Sequence, residues 1–312
     1  MLNRPTEFIS LDDLLYVTYT NILKDGVEID GKRGRFKELL NYSATLTNPR
    51  VRTSMSLHRS LVQSKFAEFA WFLSKSGDRD YIKPYISAYG REEQENNRIL
   101  GAYGPKIFES ENGQQSQFER VIEQILERKI TKHAYMCISE KVDYKVRQKK
   151  HHSPPCTIGL HFYVRESKLN VTCYMRSNDA YLGLPHDLFC FTMLQELISI
   201  RTNIPIGNYT HCATSMHIYE EHHTSAYQYL YEGKQEPIEM PKIKEFNSET
   251  LNLVSKEFGT KTSKSYMNNL DDYWKDYVLF SKSYLNGSSD FESWLDKFSN
   301  TKMREIARNS IS

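Results

Sequence analysis

Along this chain the spacing of apolar and polar positions changes several times, and each change predicts an element. Residues 9–24 (ISLDDLLYVTYTNILK) carry apolar side chains at helical spacing, with Ser10 as N-cap ahead of two aspartates. KDGVEIDGKRGRFKELLNYSATL (24–46) replaces that spacing with glycine-marked turns and alternation, the pattern of strands. SLHRSLVQSKFAEFAWFLS (56–74) predicts a helix apolar enough to be largely buried, and Gly77 to Gly104 reads as polar, Tyr-rich loops with short helices. QSQFERVIEQILER (115–128) is an amphipathic helix. HAYMCIS, TIGLHFYVRE and LNVTCYMRS predict neighbouring strands of one sheet, with the basic loop KVRQKKHH (145–152) between them. A second buried helix is expected over 187–202, and MHIYEEHH and AYQYLYEG continue the strand-and-turn pattern. From about residue 246 the sequence becomes a polar helical tail, in which Ser289 and Glu292 form a capping box before Phe291, Trp294, Leu295 and Phe298. The shift divides the chain into 1–245 and an appended 246–312.

Composition narrows the class. The 312 residues suit two domains, or one α/β domain with insertions. Lys and Arg total 41 against 39 Asp and Glu, a net charge of +2 that gives no support to a dedicated nucleic-acid or membrane-surface binder. No apolar run reaches the roughly 18 residues of a membrane span. The start, MLNRPTEFISLDDLLY, has acids where a secretory signal has an apolar core, so a cytoplasmic protein is expected. Five cysteines without a CxxC pair predict reduced thiols, most of them buried. His211, His217, His222 and His223 cluster without an HExxH frame, so no metal site is predicted.

Candidate chemistry concentrates in SPPCTIGLHFYVRESKLNVTCYMRSNDAYLGLPHDLFCF (153–191). Two prolines make the entry to Cys156 extended and rigid. A thiol presented that way near an arginine can act as a nucleophile, although PPC alone also fits a core cysteine after a turn.

The ordered set around it resembles the thymidylate synthase family. Arg176-Ser177-Asn178-Asp179, Leu182-Gly183-Leu184-Pro185 and His217-Ile218-Tyr219 follow PPC in family order and spacing. Upstream, Glu68 resembles the family's catalytic glutamate, Gly101-Ala102-Tyr103-Gly104 its G-x-Y-G turn, and Arg33 its phosphate-loop arginine. The resemblance covers roughly residues 10–245. It implies an α/β (α+β) fold with a mixed twisted sheet flanked by helices, a homodimer formed through the sheet, and a helical C-terminal extension on the catalytic domain. It also implies a pyrimidine nucleoside monophosphate and 5,10-methylenetetrahydrofolate as substrates. By the resemblance, Cys156 adds to C6 of the base, Glu68 relays protons, and Arg176, Ser177 and Arg33 hold phosphate. Asp179 and Tyr103 face the folate, and His217 and Tyr219 bond the sugar hydroxyl.

Three departures from the family refine the expectation. Where synthases have a Phe-Asn pair after GLP, this chain has His186-Asp187. The family asparagine reads uracil, whereas an acid suits the reversed donor and acceptor pattern of cytosine, as in the cytidylate and deoxycytidylate hydroxymethylases. Asp187 could instead serve only as a helix N-cap. Second, a synthase closes its site with a short C-terminal segment, whereas this chain runs on for about sixty polar residues, which favours water over hydride as the acceptor at the methylene. Third, the family's paired arginines that cross to the partner's phosphate align with Thr131-Lys132-His133, leaving Lys132 as a point charge that Arg35, Arg50 and Arg52 could supplement. The expectation is a folate-dependent CMP or dCMP 5-hydroxymethyltransferase. A uridylate methylase and a noncatalytic nucleotide or RNA binder are the rivals, and the sugar is left open.

Overall fold

A computed structural model describes residues 6–58, 62–91, 97–99, 101–110, 113–144, 154–259, 266–283 and 294–310. The basic loop 145–152 and the capping-box residues Ser289 and Glu292 lie outside these. The expected mixed sheet flanked by helices is what forms. The long strands β3 (Gly34–Leu46) and β8 (Ile206–Tyr219) pair antiparallel at its centre, with β2 (Val27–Gly31) and β1 (Thr6–Phe8) beyond β3. On the other side, β8 runs parallel to β6 (Lys168–Met175), followed by β5 (Thr157–Arg165) and β4 (Tyr135–Cys137). The two-residue β7 (Asn178–Asp179) pairs parallel with β8, which puts Asp179 opposite His217.

Helices cover the sheet's apolar face. Helix α1 (Leu11–Asp25) opens as expected, with the Ser10 hydroxyl accepting from the Asp13 amide. Helix α2 (Val62–Leu73) is buried almost all round. Short helices α3 (Arg79–Ile82) and α4 (Tyr103–Phe108) follow, and Gly104 lets α4 approach α2, since a Cβ there would sit 2.6 Å from the Phe72 carbonyl oxygen. Helix α5 (Gln117–Glu127) buries Phe118, Val121, Ile122 and Ile125. Helix α6 (Gly183–Thr202) is the central one, its apolar residues facing neighbours on every side.

Four expectations are corrected. Ser56, Leu57 and His58 lie in a loop rather than in helix α2, and Ser56 bonds Glu232. Helix α6 starts at Gly183 rather than 187, because Pro185 is acceptable in a first helical turn. AYQYLYEG lies mostly in a helix, α7 (His223–Glu232). Its alternating tyrosines imitate a strand, but Ala226 and Tyr229, three residues apart, are the buried pair, and Tyr231 is 95% exposed. Only Cys173 and Cys190 of the five cysteines are buried.

The tail is polar on average but supplies core. Helices α8 (Ser248–Gly259) and α9 (Asp272–Ser283) pack on α2, with Trp274, Tyr277, Val278 and Phe280 buried. Phe280 stacks on Phe66 at 4.2 Å, and the Tyr277 hydroxyl donates to the Phe66 carbonyl at 2.9 Å. From the last helix region, Ser310 accepts a bond from the Gln63 amide at 2.8 Å. Among the described residues, no helix is long and apolar enough to cross a membrane.

Candidate active site

The candidate nucleophile stands where a loop enters the sheet. Pro154 and Pro155 lead into Cys156, and β5 starts at the next residue. Arg176, just past β6, fastens this loop. Its Nε donates to the Pro155 carbonyl at 3.1 Å and its Nη2 to that of Pro154 at 2.8 Å, while its backbone N–H donates to the Cys156 carbonyl at 3.0 Å. A fixed cation thus sits against the residues before a partly buried thiol. Tyr103 approaches from α4, its hydroxyl accepting from the Thr157 amide at 3.4 Å and its ring stacked 6.1 Å from Phe191. Burial pushes the Tyr103 hydroxyl well up, Asp187 and Cys156 add to the rise, and the bond to Thr157 opposes it.

Glu68 projects from α2 and is held at both oxygens. Tyr89 donates its hydroxyl to Oε1 at 2.8 Å, and His186 Nδ1 lies 2.6 Å from Oε2. The other imidazole nitrogen, Nε2, is 3.2 Å from Ser64 Oγ, one turn before Glu68 on α2.

Asp187 lies in the second turn of α6, not at its cap, so capping does not explain it. Its Oδ2 accepts from the side-chain amide of Asn178 at 2.7 Å. Gly183 leaves room for that bond, since a Cβ there would stand 2.9 Å from Asn178 Nδ2. Burial pushes the Asp187 carboxyl up to about 8; Glu68 and Asp179 add to the rise, and the Asn178 bond opposes it. At neutral pH this side chain is therefore mostly a carboxylic acid, with a donor as well as an acceptor.

The third wall comes from β7, β8 and the β2–β3 turn. His217 and Tyr219 meet edge to face at 5.0 Å, and Phe36 packs against both rings. His217 is almost wholly buried, and its ring lies against the Ser215 backbone. Burial lowers the His217 pKa, which keeps the ring neutral, although the carboxylates of Asp179 and Glu38 pull the other way. Arg33 stands in the exposed turn before β3, close enough to Tyr219 to lower its hydroxyl pKa against the raising effect of burial. Asp179 Oδ1 accepts from the Tyr181 and Leu182 amides at 2.8 and 3.0 Å, while Oδ2 accepts from no described residue, which leaves an acceptor for a ligand N–H. Ser177 lies partly buried between Arg176 and Asn178.

Residues 118 positions apart in sequence, Glu68 and His186, thus meet here. Lys132 does not join them: it is exposed, and its backbone carbonyl meets His161 instead. Arg52 is no phosphate ligand either, because it is fully buried in an ion pair with Glu196. Arg50 pairs with Glu239 at 2.7 Å and Arg35 with Glu220 at 3.1 Å. Sequence reasoning gave no role to His186, Asn178, Tyr89 or Ser64. Among the described residues, no group of His, Cys, Asp and Glu is arranged to hold a metal ion.

A partly buried thiol beside a fixed cation, a doubly held carboxylate, and an acid with a raised pKa near a histidine and a tyrosine make this cluster a candidate for covalent chemistry. Comparisons with known proteins name a family. The chain matches the thymidylate synthase profile over residues 18–266. A putative thymidylate synthase of Methanocaldococcus jannaschii is 29% identical over 202 residues, covering 64% of this chain and 82% of the relative. A thymidylate synthase of Francisella tularensis is 27% identical over 244 residues, 75% of this chain and 86% of the relative. A deoxyuridylate hydroxymethyltransferase of Delftia phage PhiW-14 is 27% identical over 210 residues, 60% of this chain and 56% of that longer relative. Among solved structures, thermostable thymidylate synthase A of Bacillus subtilis shares the fold with a TM-score of 0.61 at 19% identity, covering 73% of this chain and 86% of that one. The chain belongs to the thymidylate synthase family.

Proposed function

We propose that this enzyme transfers a one-carbon unit from 5,10-methylenetetrahydrofolate to C5 of a cytidine monophosphate and finishes the transfer with water, as a 5-hydroxymethyltransferase. The observation that carries the reading is Asp187, a half-buried acid at the family's base-reading position, held by Asn178. Cytosine offers an acceptor at N3 and a donor at its amino group, and one shared proton between N3 and the carboxyl satisfies both bonds. That proton can reside on either partner, so cytosine fits whether or not Asp187 is ionised. Uracil fits only the protonated acid, because its O4 would otherwise face a carboxylate oxygen.

Each remaining residue has a task in this reading. Cys156 adds through sulfur to C6, which makes C5 electron-rich. Arg176 holds the loop that carries Cys156 and, with Ser177 and Arg33, faces phosphate. His217 and Tyr219 meet the sugar. Asp179, through Oδ2, and Tyr103 face the folate. Lys132 is left for a partner subunit's phosphate in a homodimer. Hydroxymethylation is favoured by the carboxylate, imidazole and hydroxyls of Glu68, His186, Ser64 and Tyr89, a wall that suits water. We place this chemistry in 1–245, with 246–312 as an extension bracing α2, and in the cytoplasm.

A second reading, a uridylate hydroxymethyltransferase, is favoured by the protonated state of Asp187 and by the phage relative's name. Tritium release from 5-labelled CMP, dCMP, UMP and dUMP with methylenetetrahydrofolate, with product masses recorded, decides among base, sugar and product. Release from the cytosine nucleotides with added CH2O is expected; release from uracil nucleotides alone overturns the cytosine assignment. Cys156→Ser should lower turnover at least about a thousand-fold while nucleotide still binds.

A further inference from the structure

Glu68 is held by more than its helix. Its Oε2 meets His186 Nδ1 at 2.6 Å, and the same ring's Nε2 meets Ser64 Oγ at 3.2 Å, so the imidazole bridges α2 and α6. Tyr89 closes the other side by donating to Oε1 at 2.8 Å. His186 and Glu68 side chains are 17% and 10% exposed, so the pair is neither sealed in core nor open to bulk solvent. At 2.6 Å one proton must lie between Nδ1 and Oε2. The Ser64 hydroxyl can donate to Nε2 or accept from it, so the ring keeps both bonds in either charge state. His186 also precedes Asp187 on α6. The residue that orients Glu68 and the residue that meets the base therefore move as one rigid piece.

We infer that His186 is a positioning residue that aims the Glu68 carboxylate at the water adding to the one-carbon unit. The inference rests on the C5-transfer reading and deepens it. In the step concerned, the water oxygen bonds to the methylene carbon on C5, Glu68 takes the water proton, and the methylene π pair moves into the ring. That pair then expels the Cys156 sulfur from C6 and restores the C5–C6 double bond. Nothing is oxidised or reduced, and water is the only co-reactant. A histidine in place of the aromatic residue of a synthase is thus a second sequence difference bearing on the fate of the methylene, beside the one that reads the base.

The test compares His186→Phe, which keeps a ring and removes both hydrogen bonds, with His186→Asn, whose amide N–H can stand near the Nδ1 position. Each variant is first checked for folding by circular dichroism. His186→Phe should lower kcat about 100-fold with little change in nucleotide KM, as expected for a misaimed group, and His186→Asn should recover about ten-fold of that loss. Wild-type kcat in His186→Phe, or an Asn variant no better than Phe, overturns the inference. Tritium release by the wild type from any of the four nucleotides establishes the transfer separately, so an unaffected His186→Phe would then overturn the His186 role alone; absence of release from all four overturns both. A readout without substrate is the NMR titration of the His186 ring in full-length protein. Glu68→Gln should move its midpoint down, because a carboxylate neighbour favours imidazolium. An unmoved midpoint overturns the contact.

Discussion

Helix α6 carries two carboxylates that meet opposite environments. Glu196 lies in the core against Arg52, both side chains almost wholly inaccessible, and its other oxygen accepts from the Ile243 amide at 3.3 Å. Asp187, more than two turns earlier, has only a neutral amide as its hydrogen-bond partner among the described residues, and two other acids nearby. At the core end a permanent cation fixes the charge. At the site end the surroundings leave the proton free to come and go near neutral pH. Glu68 is held by a histidine and a tyrosine. The difference separates an acid that holds the fold from one whose charge can change near neutral pH.

The core end should give the largest stability effect. Arg52→Met strands the Glu196 charge and should cost about 3–5 kcal/mol. Urea denaturation measures the loss, and kcat per folded molecule should stay near wild type. Arg52→Met combined with Glu196→Leu should recover most of it; a double variant as unstable as the single would show that the pair's packing, not its charge, matters.

At the site end the sign reverses. Asp187 is raised in the fold from an ordinary aspartate value near 3.9 to about 8. Between those values the unfolded chain has released a proton that the folded chain keeps. Folding stability is therefore fullest below the lower value and falls as pH rises towards 8. Asp187→Asn should remove that slope and stabilise the protein at pH 7 by on the order of a few kcal/mol. It should also move base preference towards uracil, since an amide donates to O4 and accepts from N3–H. A stability curve parallel to wild type between pH 5 and 8 would place the slope elsewhere, and an unchanged preference would remove the readout argument.

How much of this was legible in sequence depends on the distance a signal spans. Periodicity gave α1, α5 and the sheet strands, because each rests on residues a few positions apart. The ordered motifs gave Cys156, Arg176, Asp179, Asp187, His217 and Tyr219, and the fold brings those residues to one place. The pairings stayed hidden. His186 and Glu68 lie 118 positions apart, and neither residue signals the other in a single sequence. Arg52 read as a surface phosphate ligand because its buried partner, Glu196, is 144 positions away. The tail misled through its average polarity, since one face of α9 supplies Trp274, Tyr277 and Phe280 to the core.

The smallest effect belongs to Asn178, and it tests the comparison most sharply. Its amide is the one hydrogen bond that lowers the Asp187 value. In Asn178→Ala at pH 5, Asp187 is protonated with or without that bond. The variant then loses one hydrogen bond, worth about 1 kcal/mol. It also sheds Asn178 Oδ1, a buried acceptor without a partner among the described residues, which offsets part of the loss. At pH 9 wild-type Asp187 is mostly ionised and receives a charge-assisted bond, roughly twice as strong, that the variant lacks. Removing Asn178 also pushes the Asp187 value higher, so the variant's stability keeps falling where the wild type has levelled off. The stability difference from urea titrations should therefore be about 1 kcal/mol or less at pH 5 and larger at pH 9. Equal differences at both pH values would mean that Asn178 does not distinguish the two charge states of Asp187, and the contrast between the ends of α6 would then rest on burial alone.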